Sequence, residues 1–413
     1  MKKITKIKNF PKSTQKAATK KEIKFLDLQH LDKTLEAAVY YGFHHIPTPK
    51  IEKEDIQKGK SFRDALPLEC FGSNTDITHV IEEKIALLRT YETTDLATIP
   101  QPAMVVYDGH IGEGKKTGKE KRIGLEILNT NKSIAEATAI KAAIAILEDN
   151  GYSNLFVEIN SLGDKESSAR FVRELTAYYR KNMNGLTPHC RQLFKKDCVL
   201  PLFCCNSKCL PHKEEAPRAV SCLSDISRQH FKEVLEFLEA LEIPYKINDY
   251  LIPDRRFASQ TVFEIKQKTK DDGELSLGIG YRYDTLSKKI GGKKEIPALG
   301  LKLAFKVKEV KKQSPKIKKA QVFFIQIGDE AKQASLKVIE ILRKENIFIN
   351  HSLSRDKLTA QLAMAERSRV PYVLIMGKRE AMDQTVMIRN VSTRSQETIR
   401  FADLPTYLEG LFK

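Results

Sequence analysis

Residues 105–126 constrain the fold of this chain most, because their pattern predicts two strands that hold out a basic loop. Residues 105–107 form a short apolar run. Ile123, Leu125 and Ile127 alternate with polar or small neighbours, which is the period of a half-buried strand. We therefore expect a hairpin in which a long loop joins two strands.

The loop of this predicted hairpin combines glycine with a dense positive charge. Its four glycines, between positions 109 and 118, disfavour both helix and strand. Two interpretations are open: the loop contacts phosphate groups, or it is a solvated surface loop whose lysines keep the protein in solution. The basic residues are Lys115, Lys116, Lys119, Lys121 and Arg122.

Length and charge limit the class of protein. The 413 residues suffice for two or three domains, and no run of about 18 apolar residues predicts a membrane helix. The net charge of +17 is unevenly distributed, because nine of the first 24 residues are lysine and a second lysine cluster fills residues 306–319. This excess favours polyanion partners, although a lysine-rich proteome would produce part of it. The basic N-terminus lacks the apolar segment of a secretory signal, so we expect a cytoplasmic protein without membrane contact.

The seven cysteines are an odd number in a chain without an export signal, which argues against a disulfide framework. Five of them lie between Cys190 and Cys209. Three cysteines and one histidine from this region could form a tetrahedral zinc site, and simple buried or free thiols are the alternative. The candidate ligands are Cys198, Cys204, Cys205, Cys209, His189 and His212.

The N-terminal half is predicted to be rich in helix. Residues 1–21 carry too few apolar groups to fold, so we expect a disordered arm. Ser133 and Glu136 have the spacing of a capping box, whereas the apolar spacing in 82–95 is ambiguous between strand and irregular structure. Helical spacing of apolar residues is found at about 31–42, 133–150, 168–180 and 227–241.

Strand patterns dominate the middle of the chain, and alternating strands and helices follow. Strands are predicted at 155–159, 245–247, 261–265 and 275–279. A helix is predicted over 297–307, and the lysine-rich tract after it is a linker. The last part predicts a compact α/β domain with a mostly parallel sheet. Its strands are expected at 322–327, 347–349 and 372–376, and its helices at 330–344 and 357–367.

These pieces, in this order, resemble a histidyl-tRNA synthetase over residues 24–413. Residues 41–52 resemble the class II motif 1 that builds the dimer interface, with Pro49 at the proline of the motif. The basic hairpin takes the place of motif 2. The Asn-Ser-Leu-Gly that ends 155–163 and the Thr-Val-Phe-Glu of 261–264 are similar to family signatures.

Further segments carry the same resemblance. The Arg-Tyr-Asp at 282–284 matches the end of the second histidine-specific motif, and 223–231 resembles the bacterial-type insertion. Lys357 and Gln361 lie in a segment similar to the anticodon-binding domain of the family.

The resemblance implies a mixed α/β (α+β) fold. We expect a class II synthetase-like antiparallel sheet core with helices, a helical insertion, and a C-terminal α/β anticodon-binding-like domain. The predicted divisions are a basic arm at 1–23, the core at 24–164 and 243–307, the insertion at 165–242, a lysine-rich linker at 308–319 and the C-terminal domain at 320–413.

The catalytic signatures of the family are degenerate here. Motif 2 normally offers an arginine that clamps the α-phosphate of ATP, the first histidine motif a catalytic arginine and an aspartate, and motif 3 an ATP-binding arginine. At the motif 2 arginine and glutamate this chain has Asp108 and His110. At the arginine and aspartate of the first histidine motif it has Pro253 and Arg256, and at the motif 3 arginine it has Val307. Loss of one such donor commonly lowers a rate by about 10²- to 10³-fold, and these donors act together.

Other positions are interpreted as remnants of the substrate pocket. The family's Arg-Pro-Glu-Gly-Thr loop is echoed only by residues 89–93. The remnants are Arg89, Glu92, Glu126, Arg282 and Tyr283.

Three functions follow from the resemblance. The first is a dimeric synthetase paralogue that has lost aminoacylation and binds RNA, in particular tRNA, through its C-terminal domain and lysine clusters. The second is an active histidine-tRNA ligase that uses ATP and Mg²⁺, with Lys119, Arg122, Arg255 or Arg256 as substitutes for the missing clamps. The third is a regulatory subunit of a histidine-biosynthesis enzyme, with a protein partner.

Overall fold

The computed structural model describes residues 22–23, 25, 32–63, 81–109, 120–204, 206–307, 319–352 and 355–412. Within these ranges the chain forms two sheets with helices packed on both. The predicted arm, most of the basic loop and nearly all of the predicted linker lie outside the described residues. No helix in the described ranges combines the length and apolar composition that a membrane crossing requires.

The first sheet has eight strands in the order β1-β2-β3-β8-β7-β6-β4-β5. The two outermost pairs, β1 with β2 and β4 with β5, are parallel, and the five pairs between them are antiparallel. The antiparallel core predicted from the sequence is therefore confirmed. The strands are β1 (His44–His45), β2 (Ala103–Asp108), β3 (Glu120–Leu128), β4 (Leu155–Ser161), β5 (Tyr245–Ile247), β6 (Ser259–Lys268), β7 (Glu274–Arg282) and β8 (Ala298–Lys306).

Nine helices accompany this sheet in the described ranges. Three of them, α1, α4 and α8, bury apolar side chains against one face, whereas α3 packs on the other face. The helices are α1 (Lys33–Tyr40), α2 (Lys53–Arg63), α3 (Ile81–Thr93), α4 (Ile134–Asp149), α5 (Lys165–Lys181), α6 (Pro188–Lys196), α7 (Leu210–Glu214), α8 (Asp225–Ala240) and α9 (Leu286–Lys289).

The basic hairpin forms as predicted. Strands β2 and β3 are antiparallel, with Tyr107 opposite Gly124 and Asp108 opposite Ile123. The Tyr107 ring lies over Gly124, where an added Cβ would come within 2.4 Å of the ring. Only glycine fits beneath this ring, so Gly124 fixes its position.

Two element predictions in this region are wrong. Residues 298–306 form the central strand β8 and not a helix, because Leu299, Leu301 and Leu303 alternate toward one core. Residues 81–93 form helix α3 and not a strand or irregular segment. Its apolar residues have helical spacing, but the charged residues between them, which are also buried, obscure the pattern.

The predicted capping box at the start of α4 is also wrong. Ser133 makes no capping bond to the helix backbone, and its hydroxyl donates instead to Glu233 at 2.7 Å. Glu136 turns away from the helix end toward Arg282 and His230. Tertiary contacts, a hydrogen bond for Ser133 and ion pairs for Glu136, take both side chains away from the cap.

Helices α5, α6 and α7 form a small body with its own apolar core. Phe171, Leu175 and Tyr179 of α5 pack in it with Leu202 and Ile252. Helix α8, which the sequence assigns to the same insertion, instead buries Phe231, Val234 and Leu238 in the main core beside α4.

The C-terminal sheet has five strands in the order β10-β9-β11-β12-β13. The first two pairs are parallel and the last two antiparallel, so the prediction of a mostly parallel sheet is wrong for β12 and β13. The strand expected at 347–349 begins instead at Asn350. The elements are β9 (Val322–Gln326), α10 (Asp329–Lys344), β10 (Asn350–His351), α11 (Leu358–Ser368), β11 (Tyr372–Met376), α12 (Lys378–Met382), β12 (Thr385–Asn390), β13 (Gln396–Arg400) and α13 (Leu404–Leu411).

Candidate functional site

Glu126 lies at the centre of the sheet face that α3 covers. It is fully buried on β3, between Leu125 and Ile127, which point to the opposite core. The hydroxyl of Tyr283 donates to Glu126 at 2.7 Å, and that of Tyr107 donates at 3.1 Å. Burial raises the pKa of Glu126, although the hydroxyls and a nearby cation act in the other direction.

The cation is Lys84 of α3. Its ammonium group donates to Glu126 and is 5.3 Å from the ring centroid of Tyr283 and 5.9 Å from that of Tyr281. Lys84 is only 3% exposed. A buried ammonium group among tyrosine rings and a carboxylate has the partners that its charge needs.

A glycine on β8 makes this contact possible. A Cβ added to Gly300 would lie 2.0 Å from the Lys84 ammonium and 2.4 Å from Glu126 Oε2. Strand β8 places Gly300 opposite Glu126, so the lysine reaches the carboxylate through the space that a side chain would fill.

A second buried ion pair lies beside the first. Lys302 of β8 donates to both carboxylate oxygens of Glu83 at 3.0 Å, and both residues are buried. Glu83 and Lys84 are consecutive on α3. Glu83 thus binds strand β8, and Lys84 binds the neighbouring strand β3. We call Glu83, Lys84, Glu126 and Lys302 the buried ion cluster.

Arg282 forms a separate buried network on the other side of β7. Its guanidinium group binds both carboxylate oxygens of Glu136 at 2.6 and 2.8 Å, and it donates to the carbonyls of Thr130 and Lys132. His230 of α8 contacts Glu136 at 2.7 Å. Glu136 is completely buried, but the charges of Arg282 and His230 hold its pKa at about 2. Arg282 therefore ties β7 to α4.

The end of the hairpin carries a third ion pair. Lys121 contacts Asp108 at 2.5 Å and Asp32 at 2.7 Å. Burial opposes the charge of Lys121, but the two carboxylates raise its pKa above the ordinary value. Arg122 pairs with Glu120 at 3.1 Å on the same strand. Lys121 and Arg122 thus belong to β3 and not to the loop.

A cavity of about 590 Å³ lies between the first sheet and the small helical body. Two arginines on its wall are already paired, Arg255 with Asp197 at 2.6 Å and Arg256 with Asp254 at 2.8 Å. Arg256 also donates to the carbonyl of Ser61 at 2.6 Å. The arginines hold the cavity wall together through these bonds.

Residues 321–411 match the family model described as Anticodon binding domain. The histidine-tRNA ligase of Aquifex aeolicus is 30% identical over 283 residues, which cover 68% of this chain and 69% of that relative. The chain belongs to the histidyl-tRNA synthetase family. The histidine-tRNA ligase of Fervidobacterium nodosum is 28% identical over 88% of this chain and 90% of that relative. The crystal structure of apo S. aureus histidyl-tRNA synthetase has a TM-score of 0.49 and 21% identity, covering 90% of this chain and 92% of that one.

The positions matched to the synthetase arginines can now be placed. Asp108 ends β2 and binds Lys121, and Pro253 is buried. Val307 directly follows β8 and packs at the border of the main core. His110, Lys115, Lys116 and Lys119 lie outside the described residues.

The echo of the synthetase substrate loop at 89–93 is not a loop. These residues are the last turns of α3, and Arg89 pairs with Asp55 at 2.9 Å and with Glu52 at 3.0 Å. Glu92 lies one turn further along the same helix, beside Gly292. Among the expected pocket remnants in the described ranges, only Glu126 and Tyr283 are in contact with each other.

The motif 1 segment lies against the hairpin. The hydroxyl of Thr48 donates to the carbonyl of Asp108 at 2.7 Å, and Pro49 is buried within the chain. The strand of this segment, β1, consists only of His44 and His45 and pairs with β2.

The two predicted RNA-contacting residues of α11 differ in position. Lys357 is exposed at the start of the helix. Gln361 is fully buried, and its amide binds the backbone of Gln326 at 2.7 and 3.1 Å and the carbonyl of Arg355 at 2.9 Å. Gln361 therefore orders β9 and cannot contact RNA in this arrangement.

The cysteine-rich region brings together a different set of thiols from the one predicted. Cys190, Cys204 and Cys209 converge, whereas Cys198 lies near the carbonyl of Val172. Cys205 lies outside the described residues. Among those described, neither His189 nor His212 joins the three thiols.

The pKa values of Cys190 and Cys209 are shifted in opposite directions. Burial raises the pKa of Cys190 to about 12. Burial also opposes ionisation of Cys209, but hydrogen bonds from Thr187 and the neighbouring thiols bring its pKa below the ordinary value.

The residues that sequence reasoning missed are Glu83, Lys84 and Lys302. Each is a common surface residue type in a segment without a family signature. A signal was present in α3, where Ile81, Ile85 and Leu88 have helical spacing.

Proposed function

We propose that this chain is a histidyl-tRNA synthetase paralogue that has lost aminoacylation and acts as an RNA-binding or regulatory dimer, with tRNA as its main RNA partner. One observation carries the proposal. Lys84 and Glu126 are paired and buried on the sheet face that α3 covers. The carboxylate of Glu126, which a substrate would need, is therefore bound to Lys84. The partners of Glu126 are internal, and no group in the cluster is left for a ligand.

An active ligase would need other basic residues in place of the missing arginines, and the described candidates already form ion pairs inside the protein. Arg122 pairs with Glu120, Arg255 with Asp197, and Arg256 with Asp254. To clamp a triphosphate, each would have to break an ion pair inside the protein. This supports the loss of adenylation, because catalysis by positioned cations depends on donors that are free and preorganised before the substrate arrives.

RNA binding is supported by the C-terminal domain and the charge. Residues 321–411 match the Anticodon binding domain family, and the chain carries a net charge of +17. Contacts with phosphate release counterions, so affinity for tRNA should fall steeply as salt rises. We also propose that residues 41–52, with Pro49, contribute to a dimer interface.

The alternative is an active histidine-tRNA ligase that uses ATP and Mg²⁺. The names of the relatives favour it, since the two reported above are histidine-tRNA ligases. The two proposals differ in one reaction, the histidine-dependent formation of an adenylate. A regulatory subunit of a histidine-biosynthesis enzyme, which would need a protein partner, differs from both in that it would not require tRNA.

The deciding experiment is histidine-dependent ATP–pyrophosphate exchange with the full chain, beside an active synthetase at the same concentration. Salt-dependent tRNA binding is measured on the same preparation. We expect no exchange above background and retained tRNA binding. Exchange well above background would refute the loss of activity. Loss of both activities would refute the tRNA-binding proposal and favour the regulatory subunit, which co-purification of a protein partner would identify.

A further inference from the structure

Three thiols from two separate segments converge inside the small helical body formed by α5, α6 and α7. The sulfur atoms of Cys190, Cys204 and Cys209 all lie within 4.8 Å of one another, and those of Cys190 and Cys209 are 3.3 Å apart. Cys190 and Cys209 are buried in the apolar core of this body, and Cys204 is half-buried at its edge. The cluster is therefore enclosed and does not face the cavity beside Arg255.

The local backbone holds the three sulfur atoms in place. Cys190 lies in the first turn of α6, where its N–H donates to the capping hydroxyl of Thr187 at 3.3 Å. Cys204 follows the short 3₁₀ turn Leu200–Phe203, and Cys209 directly precedes α7. The start of α6 and the segment that leads into α7 thus bring the three thiols together.

Polar groups lie beside two of the three sulfur atoms. The backbone N–H of Asn206 donates to the sulfur of Cys204 at 3.4 Å. The thiol of Cys209 donates to the hydroxyl of Thr187 at 3.5 Å, and this hydroxyl could donate in return once the sulfur binds a metal as a thiolate. In metal centres, donors beside ligand sulfur atoms orient the ligands.

The spacing fits a thiolate-binding ion. Zinc binds cysteine sulfur at about 2.3 Å with tetrahedral angles, so two ligand sulfur atoms lie about 3.8 Å apart. The sulfur atoms of Cys190 and Cys209 are 3.3 Å apart, and each lies at most 4.8 Å from the sulfur of Cys204. Shifts of less than about 1 Å would bring three sulfur atoms to zinc distance.

We propose that Cys190, Cys204 and Cys209 bind one zinc ion in a structural site that ties α6 to the segment before α7. This ligand set replaces Cys198 of the sequence-based prediction with Cys190. The site is independent of the proposed loss of aminoacylation, since it lies in the helical body and shares no residue with the buried ion cluster.

A zinc ion would add to the stability of this small body. Its described core contains three buried cysteines, Cys190, Cys209 and Cys222, beside its aromatic and aliphatic residues, and Cys198 and Cys204 are partly buried against it. Metal binding to thiolates contributes directly to folding free energy, so removal of the ion should loosen α6 and α7 first.

The test uses the full chain purified under reducing conditions, with metal content measured by mass spectrometry. We expect about one zinc per chain in the unaltered protein and a large loss in Cys190→Ser, Cys204→Ser and Cys209→Ser. Cys198→Ser and Cys222→Ser are matched controls, because they remove nearby free thiols outside the cluster and should keep the zinc.

Two further measurements keep the proposal testable if a variant fails to fold. In the unaltered protein, zinc should protect three thiols from a thiol reagent, and a chelator should expose them. Cobalt substitution should give the intense near-ultraviolet band of thiolate ligands. The proposal is refuted if the protein carries no zinc after purification and zinc reconstitution, or if Cys190 and Cys209 form a disulfide under reducing conditions.

Discussion

The hydroxyl of Tyr41 donates to Glu340 across 2.5 Å, and this buried hydrogen bond joins the segment after α1 to helix α10 of the C-terminal domain. Arg343 extends the contact, because it binds Glu340 at 2.8 Å and Asp149 of α4 at 2.7 Å. Apolar residues of α10 and α4 belong to one continuous core. The anticodon-binding domain is thus held against the synthetase-like core by a polar network inside an apolar contact.

We predict that Tyr41→Phe lowers the free energy of unfolding by about 1–2 kcal/mol, because it removes one buried hydrogen bond to a charged acceptor. Urea unfolding followed by circular dichroism measures the change. Tyr407→Phe is the matched control, since the Tyr407 hydroxyl bonds to Glu397 at the surface. Equal effects of the two variants would contradict a special role for Tyr41.

The buried ion cluster predicts a large cost for breaking one of its pairs. Lys84→Met should destabilise the protein by about 3–5 kcal/mol, because Glu126 would be left buried without its cation. The double variant Lys84→Met with Glu126→Gln should recover much of this loss. Lys58→Met removes an exposed ion pair with Glu54 and should cost less than about 1 kcal/mol. A Lys84→Met variant as stable as Lys58→Met would show that the buried pair is not formed.

Glu136 predicts sensitivity to acid. Its pKa is about 2 in the folded protein, below the ordinary value of 4.5, because Arg282 and His230 face it. The ion pairs of Glu136 stabilise the folded protein by about 3 kcal/mol above pH 4.5, and this stabilisation is lost as the pH falls from 4.5 through 2. Glu136→Gln should be less stable at pH 7 and should lose less stability between pH 4.5 and 2. Unfolding midpoints across this range test the difference, and parallel curves for the two proteins would contradict it.

His351 predicts a second pH effect in a different window. Its ring contacts the carbonyl of Tyr40 at 3.2 Å, where β10 meets the end of α1. Burial lowers the pKa of His351 to about 4 from the ordinary 6.5, so protonation favours the unfolded state. Stability should therefore fall as pH drops from 6.5 to 4. We expect His351→Gln to flatten the stability curve in this window alone and to leave the acid loss below pH 4 unchanged.

The proposed tRNA contact is tested by charge reversal on the exposed face of the C-terminal domain. Lys357→Glu should weaken tRNA binding several-fold and reduce the slope of log affinity against log salt by about 1. Lys232→Glu is the control, because Lys232 is exposed on α8, outside the C-terminal domain. Fluorescence anisotropy over a salt series measures both. Equal losses in the two variants would indicate a nonspecific effect of net charge.

Elements with a regular period were predictable from the sequence, and those shaped by buried charge were not. The hairpin and helices α4, α5 and α8 follow from apolar spacing alone. Helix α3 was missed because Glu83 and Lys84 are buried, and their partners are distant: Glu126 lies 42 residues from Lys84 and Lys302 lies 219 residues from Glu83. Strand β8 is the exception, because it was predicted as a helix although large apolar residues occupy every second position from Leu299 to Phe305.

The candidate sites also contain residues that the sequence predicted and residues that it could not predict. Motif register named Glu126 and Tyr283 as pocket remnants, and the structure places them in contact with each other, Glu126 on β3 and Tyr283 directly after β7. It could not identify Lys84 as their partner, since α3 carries no family signature. The converging thiols were missed in part for a related reason. Cys190 lies on α6 and approaches Cys209 only through packing that sequence spacing does not reveal.

The absence of a side chain at Gly300 limits which substitutions the protein tolerates. Lys84 reaches Glu126 only because position 300 is a glycine. Removal of the lysine would leave the buried carboxylate without its cation at a cost of about 3–5 kcal/mol, which is a large part of the stability of an ordinary domain. A larger residue at position 300 would displace the lysine and should carry a similar cost. Positions 84, 126 and 300 therefore act as one unit, and a change at one of them is tolerated only together with changes at the others.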